Sequence, residues 1–407
     1  MQVVYTGEDP AFFSPVYTKS MFLAGPSPRK DTDPNWREEA LKVLEALGYD
    51  GVVYLPIWRD GPPDSSGKPF DYDGQVEWET KYLNACDLIV FWVPRNMQTL
   101  PSLTTNVEFG LWLQSGKVLL GSPPIAEHMR YLNWQAGQEG VPAHDNMADL
   151  LADAVTRLGK GAPRSGGERD VPLHLWVKPE FQTWLKAQYG VGNRLTGAKV
   201  VWTFRVGKNK ERVFLWALHV DVYIAAEDRH KTNEIIIFRP DISTIVAYCR
   251  PNMYESPLRG GLGSIPAILN TEIVLVSEFR SPANNVKAMV SEVPGGSSPK
   301  AGVDPLVTAS EEMHEETGLE LTPDRFQFVG ARQVAATLAA HKAHVYAVEL
   351  DPREMRALKA EAGKAHGNHE DTEYTFVEVT TVGGLLSRSD VDWSNVGMIL
   401  SVILTRG

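Results

Sequence analysis

Two rhythms of apolar and polar positions run along this chain. In the N-terminal part, short runs that are apolar on both faces alternate with helical stripes. Residues 21–24 form one such run, ending in Gly25-Pro26. Residues 51–58 (GVVYLPIW), 88–93 (LIVFWV) and 117–120 are others, and continuous apolar runs of this length predict buried parallel strands. Between the first two, Trp36, Ala40, Val43, Leu44 and Leu47 share one helical stripe. Asp33 is placed to cap that helix, Pro34 to occupy its first position and Gly48 to stop it. Residues 76–85 and 107–113 also read as helices. The alternation predicts an α/β domain, a parallel sheet with helices on both faces. Ligands in such sheets sit beyond the carboxyl ends of the strands, which gathers Gly25 and the loops 59–73 and 94–106 around one crevice.

Further on, the rhythm changes. Segments 213–225, 234–238, 243–249, 272–279, 288–292, 326–334, 343–349 and 374–378 read as strands, with one strong helix at 305–317. Many strands and few helices predict an α+β domain with a mixed or mostly antiparallel sheet. The Gly-, Pro- and charge-rich stretch GKGAPRSGGER beginning at residue 159 is the expected linker. The expected domains are therefore 1–158 and 171–407, joined by 159–170. Segments 256–266 and 360–373 read as loops.

A chain of 407 residues is long enough for two cores, and 43% hydrophobic with 22% charged residues is the balance of a globular protein. Its net charge of −11 argues against nucleic acid as a partner, which would need a basic face. An anionic small molecule is compatible with it, because a metal ion or backbone amides can reverse the field in one pocket. The two cysteines, Cys86 and Cys249, support neither a disulfide framework nor a zinc site. No apolar run is long enough to span a membrane, and the N-terminus lacks the pattern of a signal peptide, so the cytoplasm is the expected location.

The helix at 305–317 carries the densest chemistry. Glu315 and Glu316 lie about −60° and +40° from Glu312 around an α-helix, so the three carboxylates share an arc of roughly 100°. Carboxylates so crowded repel unless a cation neutralises them. Mg²⁺, with Mn²⁺ as the alternative, prefers such oxygen ligands, can bridge a diphosphate and can activate a water. Leu306, Ala309 and Met313 face elsewhere and can bury, and Gly318 is placed as a left-handed stop. The plain alternative is a solvated acidic face.

With Glu292-Val-Pro-Gly-Gly before it and Thr-Gly-Leu after it, this segment resembles the Nudix box. Glu312, Glu315, Glu316, Gly318 and Leu319 match, and the resemblance spans roughly residues 200–390. Glu311 stands where the family has Arg, and the interval from Gly296 is one residue too long, leaving Asp304 as a substitute for the family's distant Glu. The segment VLVSEFRSP is similar to the ADP-ribose pyrophosphatase branch. That resemblance implies Arg280 and Gly296 as substrate contacts and a late-loop base, Glu370 or Glu373. The implied reaction is Mg²⁺-dependent hydrolysis of a nucleoside diphosphate compound, with Glu312, Glu315 and Glu316 as metal ligands.

In the first part, Phe22-Leu-Ala-Gly-Pro26, Trp36-Arg37, Trp78-Glu79, the strand after Asp87 and Asn106-Val-Glu-Phe-Gly110 follow in order. Together they resemble the nucleoside 2-deoxyribosyltransferase-like superfamily over roughly residues 18–140. The resemblance implies a flavodoxin-like sheet, a homo-oligomer and cleavage or transfer at an N-glycosidic bond. Glu108 then matches the nucleophile and Glu79 the acid, with Gly25 as a substrate contact, Asp87 as a substrate contact or, at the start of its strand, a structural acid, and Asn133 as a contact to sugar across a subunit interface. Phe22 replaces the family's Tyr. The whole chain thus reads as a bifunctional nucleotide-processing enzyme. The alternatives are a diphosphate hydrolase with a regulatory nucleotide-binding domain, or a sensor without turnover.

Overall fold

The computed structural model describes residues 1–10, 17–27, 35–59, 71–251, 265–298, 302–367 and 374–405. Contacts divide the chain into two units, 1–239 and 240–407.

In chain order the first unit contains β1 (Gln2–Tyr5), β2 (Ser20–Ala24), α1 (Trp36–Ala46), β3 (Val52–Leu55), α2 (Tyr72–Ala85), β4 (Leu88–Trp92), α3 (Leu103–Trp112), β5 (Val118–Gly121), α4 (Arg130–Gln138), β6 (Ala143–His144) and α5 (Met147–Leu158). It continues through α6 (Leu173–Trp176), α7 (Pro179–Gly190), β7 (Arg194–Val206), β8 (Arg212–Ile224) and β9 (Arg229–Phe238). The first six strands pair in parallel in the order β1-β3-β2-β4-β5-β6. Without the edge strand β1 this is the flavodoxin-like order, which reverses direction between β2 and β4. Strands β2 to β5 are buried along their whole length, as their unbroken apolar runs require. Phe22, Ile89, Phe91 and Leu120 pack one face against Trp78, Tyr82, Phe109 and Leu132 from α2, α3 and α4. Helices α1 and α5 contact each other, and α5 packs on β4 and β5.

Several expected boundaries move. Helix α1 starts at Trp36 and is capped by Asn35, whose side chain accepts the Arg37 N–H; Asp33 and Pro34 lie outside the described residues. Leu47, expected on the buried stripe, is exposed. Helix α3 begins at Leu103, not 107, so Glu108 sits well inside it.

The expected linker 159–170 falls within the first unit. Arg164 is completely buried, and its guanidinium grips the Asp87 carboxylate at 2.6 and 2.7 Å. Asp87 also accepts from Ser20 N and Leu173 N. A segment polar by composition is thus tied beneath the amino ends of the strands. The chain after it forms a β7-β8-β9 antiparallel meander, with Trp216 stacked on Phe238 and α7 packed over it through Phe181 and Trp184.

The second unit comprises β10 (Ile242–Cys249), α8 (Ile265–Leu269), β11 (Glu272–Phe279), β12 (Met289–Glu292), β13 (Gly295–Gly296), α9 (Pro305–Thr317), β14 (Gln327–Gln333), β15 (Lys342–Glu349), α10 (Pro352–Ala360), β16 (Ala365–His366), β17 (Thr375–Thr381), α11 (Val382–Leu385) and α12 (Trp393–Thr405). Its sheet runs β14-β15-β10-β11-β17-β16, with β12 beside β11 and β13 beside β10. The β10–β15 pair is parallel and the other pairs antiparallel, so the sheet is mixed as expected. Ala309 and Met313 of α9 join Met355 and Leu358 of α10 on one face, while α11 and α12 cover the other. Helices α10 and α12 were absent from the periodicity reading. No helix among the described residues is long and apolar enough to cross a membrane.

Candidate active site

Strand β2 ends at the reversal point of the first sheet, and the chain leaves it through Gly25. Gly25 has φ +146°, and a Cβ there would stand 2.2 Å from the Trp92 carbonyl oxygen at the end of β4, so only glycine lets the two strand ends approach. The loop that follows is held by Arg37. Fully buried on α1, it donates to the carbonyls of Leu23, Gly25 and Pro26 at 3.2, 2.6 and 3.3 Å and to Ser27 Oγ at 3.2 Å. Trp36 Nε1 donates to the same Pro26 carbonyl at 2.9 Å.

Beyond these strand ends lies a cavity of about 230 Å³. Its polar wall includes Ser27, Gln75, Ser102, Thr104 and Thr105, and Glu79 and Glu108 both line it. Glu79 comes from α2. Trp58 Nε1 donates to Gln75 Oε1 at 3.3 Å, which turns the Gln75 amide nitrogen toward Glu79 Oε1 at 2.8 Å. Glu108 comes from α3, whose start is fixed by Arg95. That side chain donates to Asn106 Oδ1 and, at 3.1 Å, to the His128 carbonyl.

Burial raises Glu108 to about 7; the charge of Glu79 adds to the rise and Arg37 opposes it. Burial also raises Glu79, against the Gln75 hydrogen bond and Arg37. Two acids pushed upward in one cavity, facing a buried cation, form an electrostatic arrangement suited to proton transfer.

The structure thus brings Gly25, Glu79 and Glu108 together. Asp87 is a correction: it stands before β4, at the opposite end of the parallel sheet, and its carboxylate is consumed by the buried Arg164 pair. Asn133 is exposed on α4 and does not line the cavity of its own chain. Phe22 packs in the core against Trp78, with ring centroids 6.1 Å apart, and Tyr72 is among the residues that line the cavity. Arg37 and Arg95 received no role from the sequence; the signal for Arg37 was its place in the Trp36-Arg37 pair.

In the second unit, α9 starts at Asp304, whose side chain accepts from Leu306 N, and stops at Gly318 with φ +72°. Two of its three glutamates, Glu312 and Glu316, meet the Gly295-Gly296 strand. Glu316 is buried against β13 and accepts from Gly295 N at 2.8 Å, while burial, then Glu312, raise it well above the usual carboxylate range. Glu312 lies so close to Gly296 that a Cβ there would meet its Oε1 at 2.2 Å. Glu315 is exposed. Arg280 pairs with the buried Glu278 and lies 4.0 Å from Glu292. Among the described residues no group of three or more His, Cys, Asp or Glu is gathered to hold a metal ion, although the charges of Glu312, Glu278 and Glu292 all raise Glu316. Glu316 Oε2 accepts one strand N–H, and Glu315 faces water. Glu370 and Glu373 lie outside the described residues.

No curated protein matches the chain. Residues 18–125 match the family model described as nucleoside 2-deoxyribosyltransferase like, and they form a nucleoside 2-deoxyribosyltransferase-like domain that contains Gly25, Arg37, Glu79 and Glu108.

Proposed function

We propose that the first unit cleaves or transfers at the N-glycosidic bond of a nucleoside or nucleotide. One observation carries this reading: Glu79 and Glu108 line one cavity at the reversal point of the sheet, both raised by burial. In the proposed reaction ionised Glu108 attacks the anomeric carbon. The bond to the base breaks as Glu79 gives its proton to the leaving nitrogen. Water or an acceptor base then attacks the glycosyl ester, returns a proton to Glu79 and frees Glu108. Protonation of Glu79 removes the neighbouring charge that raises Glu108, so the state ready to protonate the base is also the state in which the nucleophile ionises most easily. Arg37 is a positioning residue: it shapes the Gly25–Ser27 turn and lowers both carboxyls.

The test is a 2-fluoro-sugar nucleoside or nucleotide, which slows hydrolysis of the glycosyl ester and traps it. Mass spectrometry should place the adduct on Glu108, and Glu108→Ala should abolish it. An adduct on Glu79 would reverse the two roles. Binding with no adduct and no base release would leave a binding module.

A second reading concerns the second unit alone: a Nudix-like hydrolase acting on a diphosphate compound with Mg²⁺. Its support is the docking of Gly295-Gly296 on Glu312 and Glu316, beside the Arg280 pairs. Mg²⁺-dependent release of AMP from dinucleotides is the deciding measurement.

A further inference from the structure

Glu79 and Glu108 belong to more than one cavity. Together with Tyr72, Val76 and Thr104 they also line an adjoining space of about 460 Å³. The two spaces differ in chemistry. The smaller presents Ser27, Gln75, Ser102 and Thr105. The larger presents Leu83, Leu111 and Trp112 from α2 and α3, and Val200, Val201 and Trp202 from β7. The smaller also carries Pro56, Leu100 and Leu103, so the carboxylates stand on a border between a mixed and a mainly apolar chamber.

Strand β7 lies outside residues 18–125, yet it is fixed against them. Asn84 Nδ2 donates to the Ala198 carbonyl at 3.1 Å, and Thr203 Oγ1 donates to the Gln114 carbonyl at 2.5 Å. Those two bonds bracket Lys199–Trp202, the stretch that forms the wall. The other indole is also held: Lys117 Nζ, bonded to the carbonyls of Leu83, Asn84 and Cys86, lies 4.7 Å from the Trp112 ring centroid. The apolar wall is thus built in advance of any ligand, and Trp202 keeps about a third of its surface exposed.

We propose that β7 completes a leaving-group subsite, in which the planar heterocyclic base of the substrate lies against Trp202 and Trp112 while its sugar occupies the smaller chamber. This rests on the N-glycosidic reading. The bond broken in that reaction joins a hydroxyl-rich ring to a flat, weakly polar one, and the acid that protonates the base must reach its side of the bond. Glu79 borders both chambers and meets that requirement. Aromatic walls accept any base through its π-face, so affinity comes from stacking, and the larger space favours a bicyclic purine over a pyrimidine.

The test measures binding of free adenine, free cytosine and ribose 5-phosphate to the full chain by calorimetry, in wild type, Trp202→Ala, Trp202→Phe and Leu111→Glu. Leu111 is exposed and borders the same chamber, so Leu111→Glu probes it even if Trp202→Ala fails to fold. Adenine should bind more tightly than cytosine. Trp202→Ala should weaken adenine tenfold or more, Trp202→Phe should restore most of it, and Leu111→Glu should weaken it too. Ribose 5-phosphate should change less than twofold throughout. The proposal is overturned if no base binds at millimolar concentration, or if the variants leave adenine affinity within twofold of wild type. It also falls if Leu111→Glu only dissociates an oligomer, since the wall is then an interface between copies. Binding needs no turnover, so the two readings fail separately. Trp202-dependent adenine binding without base release would keep the subsite and remove the chemistry; base release indifferent to Trp202 would do the reverse.

Discussion

Glu108→Gln should make the first unit more stable at alkaline pH and leave it nearly unchanged in acid. Glu108 holds its proton up to about pH 7 in the folded chain, against 4.5 for an ordinary glutamate. At ~1.4 kcal/mol for each tenfold change in proton affinity, ionising it in place costs about 3 kcal/mol. Below pH 4.5 the group is protonated in both the folded and unfolded chains, and there is no cost. Between 4.5 and 7 the unfolded chain ionises first, so stability falls as pH rises. Above 7 both states are ionised and the full cost remains. Glutamine has the shape without the titration, so its advantage should grow from near zero at pH 4 to about 3 kcal/mol at pH 8. Ten of the eleven tryptophans lie in residues 1–239, so urea unfolding followed by tryptophan fluorescence reports on this unit. Adding Glu79→Gln should shrink the advantage, because the charge of Glu79 supplies part of the rise. The same pair should appear in catalysis as a bell-shaped kcat/KM, rising as the first carboxyl of the pair ionises and falling as the second loses the proton that the leaving base needs. An equal stability difference at pH 4 and pH 8 would refute the argument, since the carboxyl would then be unperturbed or already paired.

Three other outcomes follow from the same geometry. Asp87→Ala should cost about 3–5 kcal/mol in thermal or urea unfolding, because Arg164 is left charged and buried, while base release per folded molecule stays the same; a loss under about 1 kcal/mol would contradict the latch. Glu316→Gln should stabilise the second unit at neutral pH, read by hydrogen exchange of peptides from residues 240–407, and should abolish any Mg²⁺-dependent diphosphate cleavage; retained cleavage would remove the second reading. A fragment of residues 1–158 should fail to give a cooperative melt by circular dichroism while 1–239 gives one, because the shorter piece lacks Arg164 and exposes the contacts of Asn84 and Gln114 with β7; a well-folded 1–158 would restore the earlier boundary.

Much of the first sheet was legible because its strands are buried on both faces and so lack polar interruptions. That Glu79 and Glu108 meet in one cavity was legible in the order of the segments that carry them. The boundary at 159–170 misled because composition measures average polarity, whereas one fully buried arginine and a few hydrogen bonds decide where that segment lies. Strand β7 was not read because its burial is irregular, with bulges near Gly197, Trp202 and Arg205 that break the period-two pattern. Its part in the wall beside Glu108 is a long-range consequence of packing that no local window contains. In the second unit the arc of Glu312, Glu315 and Glu316 was correct as helical geometry. The helix rotates to bury Ala309 and Met313, which carries Glu316 into the seam with Gly295 and leaves Glu315 outside, and spacing alone does not fix that rotation.

Asp87 and Glu108 show why residue type is a poor guide to role in a sheet of this kind. Both are acids of the same domain, tied into its interior. Asp87 meets a guanidinium and two backbone N–H groups at the amino ends of the strands, so its charge is answered in place and nothing is left over for a ligand. Glu108 meets another carboxylate and the field of an arginine that directs four of its five N–H donors to Leu23, Gly25, Pro26 and Ser27. Its charge is therefore incompletely answered, and the deficit of about 3 kcal/mol is what a substrate can relieve by presenting a centre that becomes electron-poor as its bond breaks. The same deficit cannot arise at the amino end, because the chain from 164 to 173 fills that end with donors. Reactivity at one end of the sheet and stability at the other follow from where each acid finds its counter-charge.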